Sequence, residues 1–311
     1  MLSSLVDDGE LQTPPKTGFR PSNLLLNHQD GIYTAAVFDR RHGLVDWDLH
    51  LKRLDRSMHH LGAPESAEDY TTASPSKVAL AVCRSTSTAL RDFIKNNTER
   101  DWDRAMVTVV VTEREPSMIG VAPQYRVIVL AYPLPVQMPD QPAVAVGVHG
   151  RPRRNPSVKD ASWARERQPI EQYKTSEMAE VLLSTETGEV TEGLVTNFFI
   201  VTVSAERESA VQTATVDYVL PGILRSRVLQ ACEALGIPVV YKSPDLKQSG
   251  EWTEAFITNC IRGIQPVHSV ITDGLAAPSC IKLPSRDGTI TRQLKGMLSQ
   301  LQSFTPLHNL D

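Results

Sequence analysis

The chain has 311 residues, 41% hydrophobic and 22% charged, with a formal net charge of −4. That length supports two domains with cores of their own. The negative balance gives no electrostatic case for nucleic acid or an anionic membrane surface, and no apolar run approaches the ~20 residues of a membrane span. Cys83, Cys232, Cys260 and Cys280 form no C-x-x-C pair and have no histidine at metal spacing. They read as reduced thiols of an intracellular protein, and no metal site is expected. Asp7, Asp8 and Glu10 precede the first Lys or Arg, which argues against a presequence and makes the cytosol the expected location.

In chain order, residues 1–26 are polar and Pro-containing and read as an irregular arm. A small α/β domain follows over 27–132. Gly31–Phe38 reads as its first strand, rich in β-branched and aromatic residues after a turn glycine. Asp46–Met58 is a predicted helix, with Leu51, Leu54, Met58 and Leu61 recurring along one face and Gly62 as its stop. A second helix over 76–95 precedes strands at 105–112 and 125–132. Pro133, Pro135 and Pro139 predict a stiff linker over 133–141.

The larger domain is expected over 142–311. It begins with a strand at 143–149, a helix at 161–173, and strands at 180–184 and 195–203. Pro221–Leu235 is a predicted helix: proline in its first turn, a stripe of Ile223, Leu224, Val228, Cys232 and Leu235, and a Gly236-Ile237-Pro238 stop. Strands at 254–258 and 264–271 and a helix at 289–302 complete it. Helices and strands mix without steady βαβ alternation, which predicts a two-domain α+β fold. The compact basic run Arg151, Arg153, Arg154 reads as a solvated loop.

The chemistry starts from Glu192 in the block Val190-Thr191-Glu192-Gly193-Leu194-Val195-Thr196-Asn197-Phe198-Phe199, with Lys159 upstream. Lys159 follows an arginine-rich run just past a strand end, where nearby positive charge favours a free amine able to form a Schiff base. Lys174 is the rival, read as a solvated helix-end residue. Glu192 is a carboxylate suited to a protonated ring nitrogen, and Thr196 and Asn197 supply a hydroxyl and an amide beside it. Pro221-Gly222-Ile223-Leu224-Arg225 opens a helix whose free N–H groups make an anion site. Arg53 offers a planar fork to the same anion, and Thr258 and Asn259 end an apolar strand where they can reach it. An amine, an acid for a ring nitrogen and donors for a phosphate together point to pyridoxal 5'-phosphate (PLP).

The order of these blocks resembles the class IV aminotransferases, the fold-type IV PLP family that includes branched-chain aminotransferases, D-amino acid aminotransferases and 4-amino-4-deoxychorismate lyase. The resemblance runs from about residue 28 to 300. It is carried by Gly31-Ile32-Tyr33, His50-Leu51-Lys52-Arg53-Leu54, Lys159, Thr191-Glu192-Gly193 through Phe198, Leu220-Pro221-Gly222-Ile223-Leu224-Arg225, Glu254–Asn259 and Gly263–Val267. It implies Lys159 as the Schiff-base lysine and Glu192 as partner of the pyridinium. Phosphate contacts are implied for Arg53, Ile223, Leu224 and Thr258, and places beside the ring for Thr196 and Asn197. Tyr33 would face the substrate. It also implies a homodimer whose active site lies in a cleft between domains. Lys159-Asp160-Ala161-Ser162-Trp163, Arg167–Glu171 and Trp252–Asn259 are similar to a plant-type, aminotransferase-like subgroup. Asp160–Trp163 departs from the branched-chain and D-amino acid enzymes, and Cys260 and Arg262 stand where relatives shape their pockets.

The primary expectation is therefore transfer of an amino group between an amino acid and a 2-keto acid. A lyase that expels a leaving group after the same Cα deprotonation is the first alternative, distinguished by needing no keto-acid co-substrate. A PLP-binding pseudo-enzyme is the second, distinguished by failing to exchange a substrate Cα proton. No Gly-rich loop supports a nucleotide site.

Overall fold

The computed structural model describes residues 2–13, 19–59, 76–113, 125–135, 141–203, 208–272, 279–284 and 288–311. Leu61, the expected stop at Gly62 and part of the expected linker lie outside the described residues. The chain forms two units: Met1–Gln137 with Val158–Glu166 and Ser303–Asp311, and Met138–Ser157 with Arg167–Gln302.

The first unit is built on an antiparallel sheet of β1 (Ser4–Asp7), β2 (Glu10–Leu11), β3 (Ile32–Asp39), β4 (Gly43–Val45), β5 (Arg104–Glu113), β6 (Tyr125–Pro133) and a short C-terminal strand, Phe304–Thr305. The order runs from the C-terminal strand through β4, β3, β5, β6 and β1 to β2. Side chains alternate across a strand, so Val107, Val109 and Val111 join one core while Val110 joins the other. The first core takes α2 (Trp47–Met58) and α3 (Lys77–Asn96), through Leu51, Leu54, Met58, Leu90 and Phe93. The second takes α1 (Pro21–Asn27) and α4 (Trp163–Glu166), through Leu24, Leu25, Ala161 and Ala164.

Three sequence expectations are corrected in this unit. The described part of residues 1–26 is not an irregular arm: β1 pairs with β6, Val6 is fully buried, and α1 starts where Asn23 Oδ1 accepts the Arg20 N–H. The C-terminus returns as well. Asp46 Oδ1 accepts the Ser303 N–H at 3.0 Å, and Gly43, at φ 110°, gives the room that Thr305 O would otherwise contest at 2.2 Å from a Cβ. Third, Val158–Glu166 belongs here rather than with the larger domain. The Tyr33 N–H donates to Lys159 O at 2.9 Å and the Ala161 N–H to Gly31 O at 2.7 Å, so the lysine segment is stitched onto the start of β3.

The second unit contains β7 (Val144–Val148), β8 (Met178–Ser184), β9 (Val190–Gly193), β10 (Asn197–Val203), β11 (Ser209–Thr213), β12 (Val239–Tyr241), β13 (Trp252–Asn259), β14 (Gly263–Thr272) and β15 (Cys280–Lys282). β9 pairs with both β8 and β10, so β10, β13, β14, β7, β8 and β9 close on themselves. Val146, Leu182, Val190, Phe198, Ile257 and Val267 from all six fill one core. Phe199, Val201 and Phe256 alternate to the other face and pack under α6 (Ile223–Ala234) and α7 (Thr289–Leu301). The helix expected over 161–173 is two short pieces, α4 and α5 (Gln168–Glu171). Pro169 lacks an N–H and collides with the preceding turn, which prevents one continuous helix.

Candidate active site

In the first unit, β3 presents Tyr33 and Thr34 on its two faces. Lys159 Nζ stands 4.5 Å from the centroid of the Tyr33 ring, a cation–π distance. Thr34 Oγ1 accepts from Arg53 Nη2 at 2.8 Å and lies 2.7 Å from His50 Nδ1. Arg53 and His50 are on successive turns of α2 and both are buried. Burial holds the His50 imidazole well below its ordinary pKa of 6.5, and the Arg53 and Lys159 charges push it the same way. The Thr34 hydroxyl takes the Arg53 N–H on one lone pair and shares a second hydrogen bond with His50 Nδ1. The arginine fork is thus aimed by a short relay rather than left free.

In the second unit, strand register aligns the chemistry. Glu192 on β9 pairs with Asn197 on β10, and Asn197 pairs with Thr258 on β13. Directly paired residues stand about 5 Å apart on one face, so the three form a row. The segment leading into α6 covers it. The Leu220 N–H donates to Glu192 Oε2 at 2.9 Å, and Asn197 Nδ2 donates to Leu220 O at 2.9 Å. Gly222 then crosses above Asn197, where a Cβ would lie 2.2 Å from Asn197 Oδ1. Gly222 opens α6 with no side-chain cap, which leaves the first-turn N–H groups of Ile223 and Leu224 free of intrahelical partners. Thr258 Oγ1 is buried and has no hydrogen-bond partner among the described residues.

Those observations fit the expected cofactor. A buried carboxylate fixed by one backbone donor, a helix N-terminus without a cap and an unspent buried hydroxyl suit a protonated ring nitrogen and a phosphate. Arg153 was missed by the sequence reading. It is not solvated: its side chain is buried and its Nη1 lies 4.0 Å from Glu192 Oε1. Arg151 of the same run is exposed and pairs with Glu186. A single sequence carries no signal separating the two. Thr34, His50 and Leu220 were likewise missed as supports.

The remaining expected residues lie as follows. The Asn259 side chain is spent locally, its Oδ1 accepting the Ile261 and Arg262 N–H groups and its Nδ2 donating to Val195 O at 3.4 Å. Thr196 is buried against Gly193, and Ile223 and Leu224 bury their side chains in the first turn of α6. Lys174 is exposed past the end of α5.

The family model for class IV amino-transferases matches residues 31–270. The chain belongs to the class IV aminotransferases. That membership supports PLP-dependent transfer of amino groups between amino acids and keto acids, and the lyase alternative is not favoured. Solved structures agree in fold. A hypothetical aminotransferase from Mycobacterium tuberculosis, in its apo form, superimposes with a TM-score of 0.68 at 18% identity, covering 96% of this chain and 97% of that one. The branched-chain aminotransferase of Thermoproteus uzoniensis, solved with norvaline, gives 0.68 at 20% identity, with 96% and 94% covered. The branched-chain enzyme of Escherichia coli gives 0.66 at 18%, with 97% and 94% covered. No curated protein sequence matches significantly.

Proposed function

We propose that this class IV aminotransferase acts through Lys159, with Glu192 as partner of the ring nitrogen. The row of Glu192, Asn197 and Thr258 under the open start of α6 is the observation that carries the reading. When bound, PLP supplies an electron sink for the pair of electrons left at the substrate's Cα. Lys159 would supply the amine that holds the cofactor and, once displaced by the substrate's own amine, would take and return the Cα proton. Glu192, fixed by the Leu220 N–H, keeps a proton on the ring nitrogen. Thr258 and the Ile223 and Leu224 N–H groups would hold the phosphate, the family resemblance adds Arg53 to that role, and Thr34 orients that arginine beside His50. Asn197 holds Leu220 over Glu192, and Tyr33 faces the substrate.

The reading extends to a homodimer, as the family resemblance implies, and to the cytosol, which the cysteine usage supports. No described helix is long and apolar enough to cross a membrane. Sedimentation of the purified protein should give twice the chain mass. The activity test uses a panel of amino acids that includes branched-chain donors and norvaline, the molecule bound in the archaeal structure. One amino acid alone should yield keto acid only to the level of bound PLP, and continued turnover should require a keto-acid acceptor. Sustained keto-acid release without an acceptor would contradict aminotransfer.

A further inference from the structure

The turn joining β9 to β10, Gly193 through Thr196, connects Glu192 to Asn197 and so fixes two members of the row. It is held from both sides of its backbone. On one side is Glu180 of β8, a buried carboxylate. Its Oε1 accepts the Val181 N–H at 3.0 Å and its Oε2 accepts the Val195 N–H at 3.3 Å. Its stem lies against Gly193: a Cβ there would come within 2.8 Å of Glu180 Cγ and 2.2 Å of Thr196 Oγ1. Position 193 is therefore glycine for space, and any side chain would lift the turn off Glu180. On the other side is Asn259, whose Nδ2 donates to the Val195 carbonyl while its Oδ1 caps the β13–β14 turn through the Ile261 and Arg262 N–H groups. Arg262 closes the bracket. Its Nη1 donates to Ala179 O at 3.3 Å, and its charge acts on the Glu180 carboxylate.

Resting on the PLP reading above, we propose that Glu180 and Asn259 are positioning residues. They clamp Val195 by its N–H and its carbonyl, set the Glu192–Asn197 turn, and so govern how tightly and in what orientation the cofactor ring is held. Neither is assigned a contact with the cofactor. Burial raises the Glu180 pKa, while the Val181 N–H and the Arg262 charge oppose that rise and favour the carboxylate that two N–H donors need. Glutamine at 180 has nearly the same shape, but its NH2 must face one of those donors, so one end of the clamp opens. Aspartate at 259 keeps the Oδ1 cap and loses the donor to Val195 O.

The test is titration of the apoprotein with PLP, followed by cofactor absorbance and by visible circular dichroism of the bound chromophore, for wild type, Glu180→Gln and Asn259→Asp. Thermal unfolding of the three apoproteins accompanies it. We expect the Kd for PLP to rise at least tenfold in Glu180→Gln and several-fold in Asn259→Asp. Visible dichroism per bound cofactor should fall in both, with the Asn259→Asp apoprotein melting near wild type. A merely structural role for Glu180 would lower its melting temperature yet leave affinity and dichroism unchanged once folded, and that result overturns the proposal. If Glu180→Gln does not fold, Asn259→Asp decides alone, and wild-type affinity and dichroism there overturn it. A wild-type protein that binds no PLP would fail the underlying reading, an outcome distinct from variants that bind as wild type does.

Discussion

Thr258 and His50 show how much single atoms decide here. A buried hydroxyl without a partner costs free energy in the empty protein, because its desolvation is not repaid. Thr258→Val should therefore leave apoprotein stability within ~0.5 kcal/mol of wild type or raise it, while PLP affinity falls about tenfold, the loss of roughly 1.4 kcal/mol of phosphate hydrogen bonding. Chemical denaturation and PLP titration of the same preparation check both halves. His50 gives a prediction in pH. Its folded pKa is depressed, so below pH 6.5 the unfolded chain takes up a proton that the folded chain refuses. The stability contributed by the neutral ring is complete above 6.5 and is lost as pH falls, with a slope approaching ~1.4 kcal/mol per pH unit. His50→Asn keeps a short polar group but does not titrate. The stability gap between wild type and His50→Asn should narrow between pH 7.5 and 5.5, measured by urea unfolding. A constant gap would mean that folding leaves the affinity of the ring for its proton unchanged, and contradict the depressed pKa.

Elements explain what could be read from the chain and what could not. The helix Ile223–Ala234 was legible because proline and glycine precede an apolar stripe, a purely local pattern. The strand Ile32–Asp39 was legible for the same reason. β1 was not: its four residues gain their hydrogen bonds from β6, more than a hundred positions away, and nothing local predicts that partner. The row of Glu192, Asn197 and Thr258 was half legible. Its residue types stood out as a motif, but their register comes from β9 closing onto β10, a tertiary event. Arg153 was illegible, since a loop arginine looks the same buried or exposed. The element carrying most of this geometry is the segment Leu220–Gly222. Gly222→Ala would drive a Cβ onto Asn197 Oδ1 and displace Asn197 from Leu220. We expect a destabilisation of about 1–3 kcal/mol together with weakened PLP binding. Wild-type stability and affinity in Gly222→Ala would show that the segment has room to move.

The molecule as a whole separates two kinds of inference. Composition and charge gave no electrostatic case for nucleic acid or an anionic membrane, but chose no chemistry. The two-unit α+β architecture followed from mixed strand and helix patterns, whereas the assignment of segments to units did not. The lysine segment and the C-terminus both join the first unit through backbone hydrogen bonds that only the folded chain contains. A cofactor held by buried groups of the native state, and by none in the unfolded chain, must stabilise the fold by mass action. At a hundred times its Kd, PLP should add about 2.7 kcal/mol, visible as a rise of several degrees in calorimetry. An unchanged transition would mean that the cofactor does not engage the folded chain at these residues.

We propose that Lys159, and no other lysine, is the amine that takes the cofactor. Borohydride reduction of the purified protein with PLP, followed by peptide mapping of the trapped pyridoxyl group, tests it directly. A single modified peptide, labelled at Lys159, is the expected result. A label at Lys174, or no stable label on any lysine, would contradict it.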